Sequence, residues 1–337
     1  MDISQRKQMI LAEIVALHTD SGDPIGSRLL QEFLHDFTVS TATLRNEMAQ
    51  LTTMGLLEQP HTSAGRVPTE LGYRYFLNHL MVAKPLAKEE KKAILEEVGK
   101  MDSDPNKAAE FAAASLADFS GLGAITTTPI TTETQISYYE LVKVGRFNIA
   151  VLGITNIGAL KTRICRTETE LSEEDLAVIR KILNGALRFI SASDVSEDIR
   201  EMILMSCGDR KKDYMPVLQA ALELLARAGE VQVFRAGQGN LLRFPELADH
   251  IDEVVQLFED KPGLAKLLSR EGGNECYVGG ELGEGFENLS MVISRYRVAG
   301  GGHGGLAIIG PVRMDYESII PRLNAYSSAM SEALAAR

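Results

Sequence analysis

The chain has 337 residues, 45% of them hydrophobic and 24% charged, with a net charge of −11. That length exceeds one compact core and points to two or three domains. The acidic balance excludes a chain-wide basic field, so any nucleic-acid contact must come from a local patch.

The first elements, in chain order, are helices. Ser4 is placed to cap a helix over residues 3–18, in which Met9, Ile10, Ile14 and Leu17 recur at helical spacing. Gly22 and Pro24 break the chain. A short helix, Ser27 to Leu34, follows, with Leu29, Leu30 and Phe33 expected to face inward. Asp36 to Thr38 read as a turn, and Ser40 caps a third helix, Thr41 to Met54. Three helices with a tight turn before the third is the helix-turn-helix plan.

The third helix is amphipathic. Leu44, Met48 and Leu51 share one stripe, which is the core face. Ala42, Asn46, Ala49 and Thr53 lie opposite, with Arg45 on one flank and Thr43 and Gln50 on the other. Small residues let a helix approach base edges, and Asn, Gln and Arg are the side chains that pair bidentately with bases. Ser40, Thr41, Ala42, Thr43, Arg45, Asn46 and Gln50 are therefore the candidate contacts to double-stranded DNA. Taken alone, this polar face reads more readily as the solvated side of a bundle helix, since polar helix faces are common.

The next segment favours the groove. Leu56 to Gln59 and Arg66 to Pro68 read as short strands around the tip 60–65, with Gly65 at a positive-φ turn position. His61, Thr62, Ser63 and Arg66 are the candidate contacts of this wing. Thr69 then caps a helix containing Tyr73, Arg74, Tyr75 and Phe76, whose aromatic rings are packing residues.

Residues 84–100 are charge-rich and helical, and residues 101–106 read as a linker. An Ala-rich helix over residues 106–120 precedes a strand in AITTTP. Three strand-like runs, 135–142, 147–154 and 159–165, suggest an antiparallel meander. Helices over 173–190, 196–207 and 214–228 follow, then a strand at 231–235. Residues 246–268 are mostly helical with a break at Pro262; strands at 275–278, 290–298 and 306–309 and a last helix at 316–334 complete the chain. The order is α+β, and the meander with its helices can be lifted out as an insertion. GGGHGG, Gly300 to Gly305, lacks the following Lys-Ser or Lys-Thr of a P-loop and reads as a flexible hairpin.

VSTATLRNEMAQL followed by GLLEQPHTSAGRVPTELGYRYF, with GQGNLLRFPE and GPVRMDY far downstream, resembles the HrcA family of heat-inducible transcription repressors. The resemblance implies an α+β multidomain fold. Its expected parts are an N-terminal winged helix-turn-helix (1–80), a helical linker (81–105), a GAF-like antiparallel-sheet domain (106–130 and 230–337) and an inserted dimerising α/β domain (131–229). It also implies a homodimer that binds the inverted-repeat CIRCE operator and represses the GroE chaperonin and DnaK chaperone operons, with activity tuned by the GroE chaperonin. A ligand-sensing regulator using the GAF-like domain is the alternative, since such folds often hold small ligands.

A dimer surface should be apolar; Ile149, Val151 and Ile154, and Leu183, Leu187 and Ile190, are candidates, with internal core an equal reading for each. Within residues 1–80 six basic residues (Arg6, Lys7, Arg28, Arg45, Arg66, Arg74) against nine acidic ones give −3. That balance predicts few phosphate contacts per subunit and weak non-specific binding. No enzyme, metal or cofactor is expected: Cys165, Cys207 and Cys276 are scattered, with no CxxC or Cys/His cluster. The absence of a long apolar run or a cleavable leader leads to the expectation of a cytoplasmic protein.

Overall fold

The computed structural model describes residues 3–34, 40–61, 64–130, 134–270, 272, 275–298 and 301–335. It opens with α1 (Gln5–Ser21), capped by the Ser4 hydroxyl and ended by Gly22 at φ 74°. α2 (Ser27–Phe33) and α3 (Thr41–Thr53) follow. Ile10, Leu11, Ile14 and Val15 of α1 are buried with Leu30 of α2 and with Leu44, Met48 and Leu51, the α3 stripe expected from its periodicity. The expectation for α2 is corrected. Leu29 and Phe33 are 40% and 49% exposed, because the inward side of this short helix is taken by Ser27 and Leu30, three residues apart.

The hairpin β1 (Leu57–Glu58) and β2 (Val67–Pro68) is antiparallel, with Leu57 opposite Pro68. Thr69 caps α4 (Glu70–Tyr75), its hydroxyl accepting from Gly72 N at 3.0 Å. A π-helical turn, Phe76–Leu80, follows. Residues 81–105 were expected as a helical linker, and they hold α5 (Lys88–Gly99). This helix packs on the end of the chain. Ile94 and Val98 are buried, and Arg322 pairs with Glu90 at 2.6 Å. Met101, in the expected linker, is buried as well.

α6 (Pro105–Ser120) leads into β3 (Gly123–Thr127). The chain then leaves this layer for β4 (Ile136–Gly145), β5 (Asn148–Thr155), β6 (Leu160–Arg166), α7 (Glu173–Ala186), α8 (Glu197–Ser206) and α9 (Lys211–Ala226). It returns through β7 (Val233–Ala236). Short helices α10 (Gln238–Leu241), α11 (Pro245–Ala248), α12 (Ile251–Glu259) and α13 (Lys261–Leu268) follow. Strands β8 (Glu275–Val278), β9 (Leu289–Arg297) and β10 (His303–Pro311) and helix α14 (Tyr316–Ala335) end the chain.

A five-stranded antiparallel sheet has the order β7-β3-β10-β9-β8, and a separate meander has the order β4-β5-β6. β3 and β7 are neighbours although about a hundred residues separate them. Where the chain leaves and re-enters, Thr128 N donates to Gln232 O and Gln232 N to the Thr128 hydroxyl, both at 2.9 Å. The excursion has its own apolar core, which includes Tyr139, Val151, Ile179, Leu183, Val217 and Leu224. The N-terminal helices and the five-stranded sheet share a different one, running from Ile3 through Tyr73 and Ile125 to Ile308 and Leu334.

The Gly-rich segment before β10 departs from expectation. Gly304 and Gly305 are strand residues opposite Tyr296 and Arg295. A Cβ on Gly304 would come within 2.4 Å of the Tyr296 side chain, and one on Gly305 within 2.6 Å of Leu268. Close packing, rather than a flexible tip, explains those two glycines.

Candidate nucleic-acid interface

Helix α3 presents the face that its periodicity predicts. Ser40, Ala42, Arg45, Asn46, Ala49, Gln50 and Thr53 are exposed, and Thr41 and Thr43 are half-buried. Ser40 and Thr43 are partly occupied with each other. Ser40 Oγ accepts from Thr43 N at 3.2 Å and lies 3.0 Å from the Thr43 hydroxyl, so both build the start of the helix. Ala42, Asn46 and Gln50 project freely beyond that cap.

The acidic residue of α3 is turned away. Glu47 sits 2.9 Å from Lys7 and 3.6 Å from Arg6, and its side chain is only 13% exposed. Arg74 is likewise engaged elsewhere, by Glu281. Of the six basic residues in the N-terminal region, Arg28, Arg45 and Arg66 remain without a carboxylate partner among the described residues. The net −3 of the region therefore misstates its exposed reading surface.

The hairpin stands beside α3. Arg66 is at its base rather than its tip: Arg66 Nε donates to the Thr52 hydroxyl at 3.1 Å, reaching back to α3. Ile25 and Arg66 exchange backbone hydrogen bonds, each 2.9 Å, which stitch the hairpin to the segment before α2. Gly65 is pressed into this seam, where a Cβ would lie 2.4 Å from the Ile25 carbonyl. It is not among the positive-φ glycines, so close backbone approach, not turn handedness, requires it. His61 is exposed at the tip, and Thr62 and Ser63 lie outside the described residues.

Sequence reasoning missed the joint behind this surface. Arg74 donates from Nε to Glu281 at 2.7 Å and from Nη2 to Cys276 O at 2.7 Å. Burial is the largest single effect and would raise the Glu281 carboxyl, but the Arg74 bond, the Val278 N–H and the Arg74 charge together hold that carboxyl below its usual range. Glu70 accepts from Gly280 N at 3.1 Å. The Tyr73 ring packs 6.3 Å from the Tyr316 ring, and its hydroxyl meets His18 Nδ1 at 2.7 Å. Arg313 pairs with Glu246, donates to Thr19 O at 2.9 Å and lies 5.3 Å over the Phe244 ring. The downstream segments GQGNLLRFPE and GPVRMDY thus meet at the end of α1. Asp315 also fixes the start of α14, accepting from the Ser318 hydroxyl at 2.6 Å. Burial pushes the Cys276 thiol up to about 12, which disfavours its thiolate form.

The expected dimer residues divide sharply. Ile149, Val151, Leu183 and Leu187 are fully buried inside the excursion and make its core, which removes them as surface candidates. Ile190 is half-buried, and Ile154 is 42% exposed. Ile154 lies on the opposite side of the meander, which no helix among the described residues covers. There Tyr138, Ile154 and Leu160 form one cross-strand rank, and Val142, Ala150 and Ile164 another. All of these except Ala150 are at least 41% exposed; between the two apolar ranks lies a mixed one, Glu140, Leu152 and Thr162, in which Glu140 pairs with Arg180.

With this geometry in hand, the comparisons are decisive. The model of the HrcA protein C-terminal domain matches residues 106–320. The heat-inducible transcription repressor HrcA of Geobacter sulfurreducens is 32% identical, over 99% of this chain and 98% of its own. This chain belongs to the HrcA family. The repressor of Desulforudis audaxviator is 30% identical over 95% of this chain and 94% of its own length, and that of Bacillus pumilus 29% over 98% of each. A crystal structure of a hypothetical protein at 2.2 Å resolution superposes with a TM-score of 0.63 at 23% identity, covering 98% of this chain and all of that one, which shows a shared fold. As an HrcA-family chain it is a heat-inducible transcription repressor. Among the described residues no helix is long and apolar enough to cross a membrane, and no group of three or more metal-ligating side chains occurs.

Proposed function

We propose that the N-terminal helices and hairpin are a winged helix-turn-helix that reads one half of an inverted-repeat operator, the CIRCE element, before the GroE chaperonin and DnaK chaperone genes. The observation behind this is the α3 face: small and polar, cleared of acid by the Arg6–Lys7–Glu47 cluster, and flanked by a wing sewn to the segment before α2. Ala42, Asn46, Ala49 and Gln50 enter the major groove, and the hairpin lies over the adjacent minor groove.

A single head reads few base pairs, so a two-fold dimer on a two-fold site supplies the specificity. The dimer forms through the excursion, residues 131–229, by pairing the uncovered faces of two β4-β5-β6 sheets. Tyr138, Val142, Ile154, Leu160 and Ile164 are the apolar contacts. The five-stranded sheet with its helices is the GAF-like platform that fixes each head relative to this dimer. Its activity is tuned by the GroE chaperonin, which keeps the repressor competent until unfolded proteins occupy it.

Footprinting the purified protein on its own chaperone promoters, with and without the chaperonin, tests this reading. Protection of the inverted repeat, strengthened by the chaperonin, is the expected result. Protection that instead requires a small metabolite would replace it with a ligand-sensing regulator.

A further inference from the structure

Between α3, the start of α2 and the hairpin lies a cleft of about 370 Å³, lined by Gly26, Ser27, Arg45, Met48, Gln59, Ala64, Gly65 and Arg66. Among the described residues, its only charged lining residues are the two arginines. Each is anchored through Nε to its own wall: Arg45 to the Ser27 hydroxyl at 3.2 Å and Arg66 to the Thr52 hydroxyl at 3.1 Å. Two guanidinium groups of like charge are thus held in one cleft, and among the described residues no carboxylate neutralises either. Such an arrangement is unfavourable in isolation and becomes favourable when an anion enters.

The anion follows from position. If α3 sits in a major groove and the hairpin over the neighbouring minor groove, the strand dividing the two grooves must pass between them. That path lies over this cleft. We infer that Arg45 and Arg66 jointly bind one backbone phosphate of DNA, oriented by Ser27 and Thr52, and that Arg45 is a phosphate ligand rather than a base reader. This inference rests on the operator-binding reading above. It revises the sequence-based assignment of Arg45 and locates grip that the acidic composition concealed. Base discrimination then falls to Asn46, Gln50 and the small residues Ala42 and Ala49, which lie farther round the helix.

The test is fluorescence anisotropy with a duplex carrying the inverted repeat and a scrambled duplex of equal length, over a range of salt. Arg45→Gln and Arg66→Gln should each weaken both duplexes by a similar factor, about tenfold, and flatten the dependence of log affinity on log salt by about 0.9 per cleft lost. The double variant should lose less than the product of the two, since one phosphate serves both. Arg45→Lys should keep the salt slope. Thermal melting of each variant at the wild-type temperature establishes folding. As a second readout, replacing single phosphates by methylphosphonates should reveal one position per half-site that weakens the wild type and is silent in the double variant. Loss of operator affinity by Arg45→Gln with the scrambled duplex and salt slope unchanged would return Arg45 to base reading. The absence of any such methylphosphonate position would also overturn the cleft. A wild type that does not prefer the inverted repeat sinks the operator reading itself, a separate failure.

Discussion

The two attachments to the five-stranded sheet are built in opposite ways. The N-terminal head continues the sheet's own apolar core and adds a polar seam at its margin, through Arg74–Glu281, Glu70–Gly280 and Arg313–Thr19. The excursion has a separate core and joins at two adjacent strands pinned by Thr128 and Gln232. On the operator-binding dimer proposed above, a head that must be aimed is fused to its platform, whereas the unit whose outer face would meet a second copy folds around its own centre. The aim of the head is thereby linked to the integrity of the platform, and the dimer contact is not.

The largest expected effect is on the excursion's outer face. Ile164 is 62% exposed, so Ile164→Glu should leave the subunit folded. It should nevertheless yield monomers in analytical ultracentrifugation and cost the operator complex orders of magnitude in affinity, since each half-site would then be bound alone. A dimer that survives with unchanged affinity would place the interface elsewhere.

Core truncations separate the two units next. Leu183→Ala, fully buried in the excursion, should cost about 2–5 kcal/mol. Hydrogen exchange should accelerate in β4–β6 and α7–α9 while the head stays protected. Leu323→Ala, fully buried in the shared core, should instead loosen head and sheet together. Identical exchange patterns from the two variants would contradict separate cores.

The seam gives smaller effects. Glu281→Gln keeps the shape and removes the charge facing Arg74. Because the pair is part-exposed, with side chains at 26% and 40%, the loss should be only about 1 kcal/mol. Operator affinity should fall more than stability does, as expected of a residue that positions the head. Equal falls would make the pair merely structural.

The mildest prediction concerns pH. Burial holds the His18 imidazole below its ordinary 6.5; Arg313 pushes the same way, and Glu246 and Asp23 oppose it. A depressed folded value means that the unfolded chain takes up the proton first. The contribution of neutral His18 is therefore complete above about pH 6.5 and is lost as pH falls through its lowered value. Stability measured from neutral to mildly acidic pH should fall less steeply in His18→Gln. A parallel decline would show that other groups set the dependence.

Much of the head was legible in the sequence because helical periodicity, caps and turn residues are local signals. Leu44, Met48 and Leu51 and the Ser40 cap lie as expected. What depends on a second element was not legible. Arg45 and Arg66 are 21 positions apart, and only the seam between Ile25 and Arg66 brings them into one cleft. Gly65, Gly304 and Gly305 looked like turn glycines, but they answer to backbone and side chains packed against them from other elements. Ile149, Val151 and Ile154 are equally apolar, but strand alternation sends Ile149 and Val151 inward and Ile154 outward; strand periodicity alone does not say which face meets the chain's own helices.

The most direct test of the account is to compare the full inverted repeat with a single half-site in titrations of the wild type and of Ile164→Glu. The account predicts that the wild type prefers the full repeat strongly, whereas the variant binds both duplexes with the same weak affinity. A variant that retains the wild-type preference for the full repeat would contradict it, because paired reading would then not depend on the excursion's uncovered sheet.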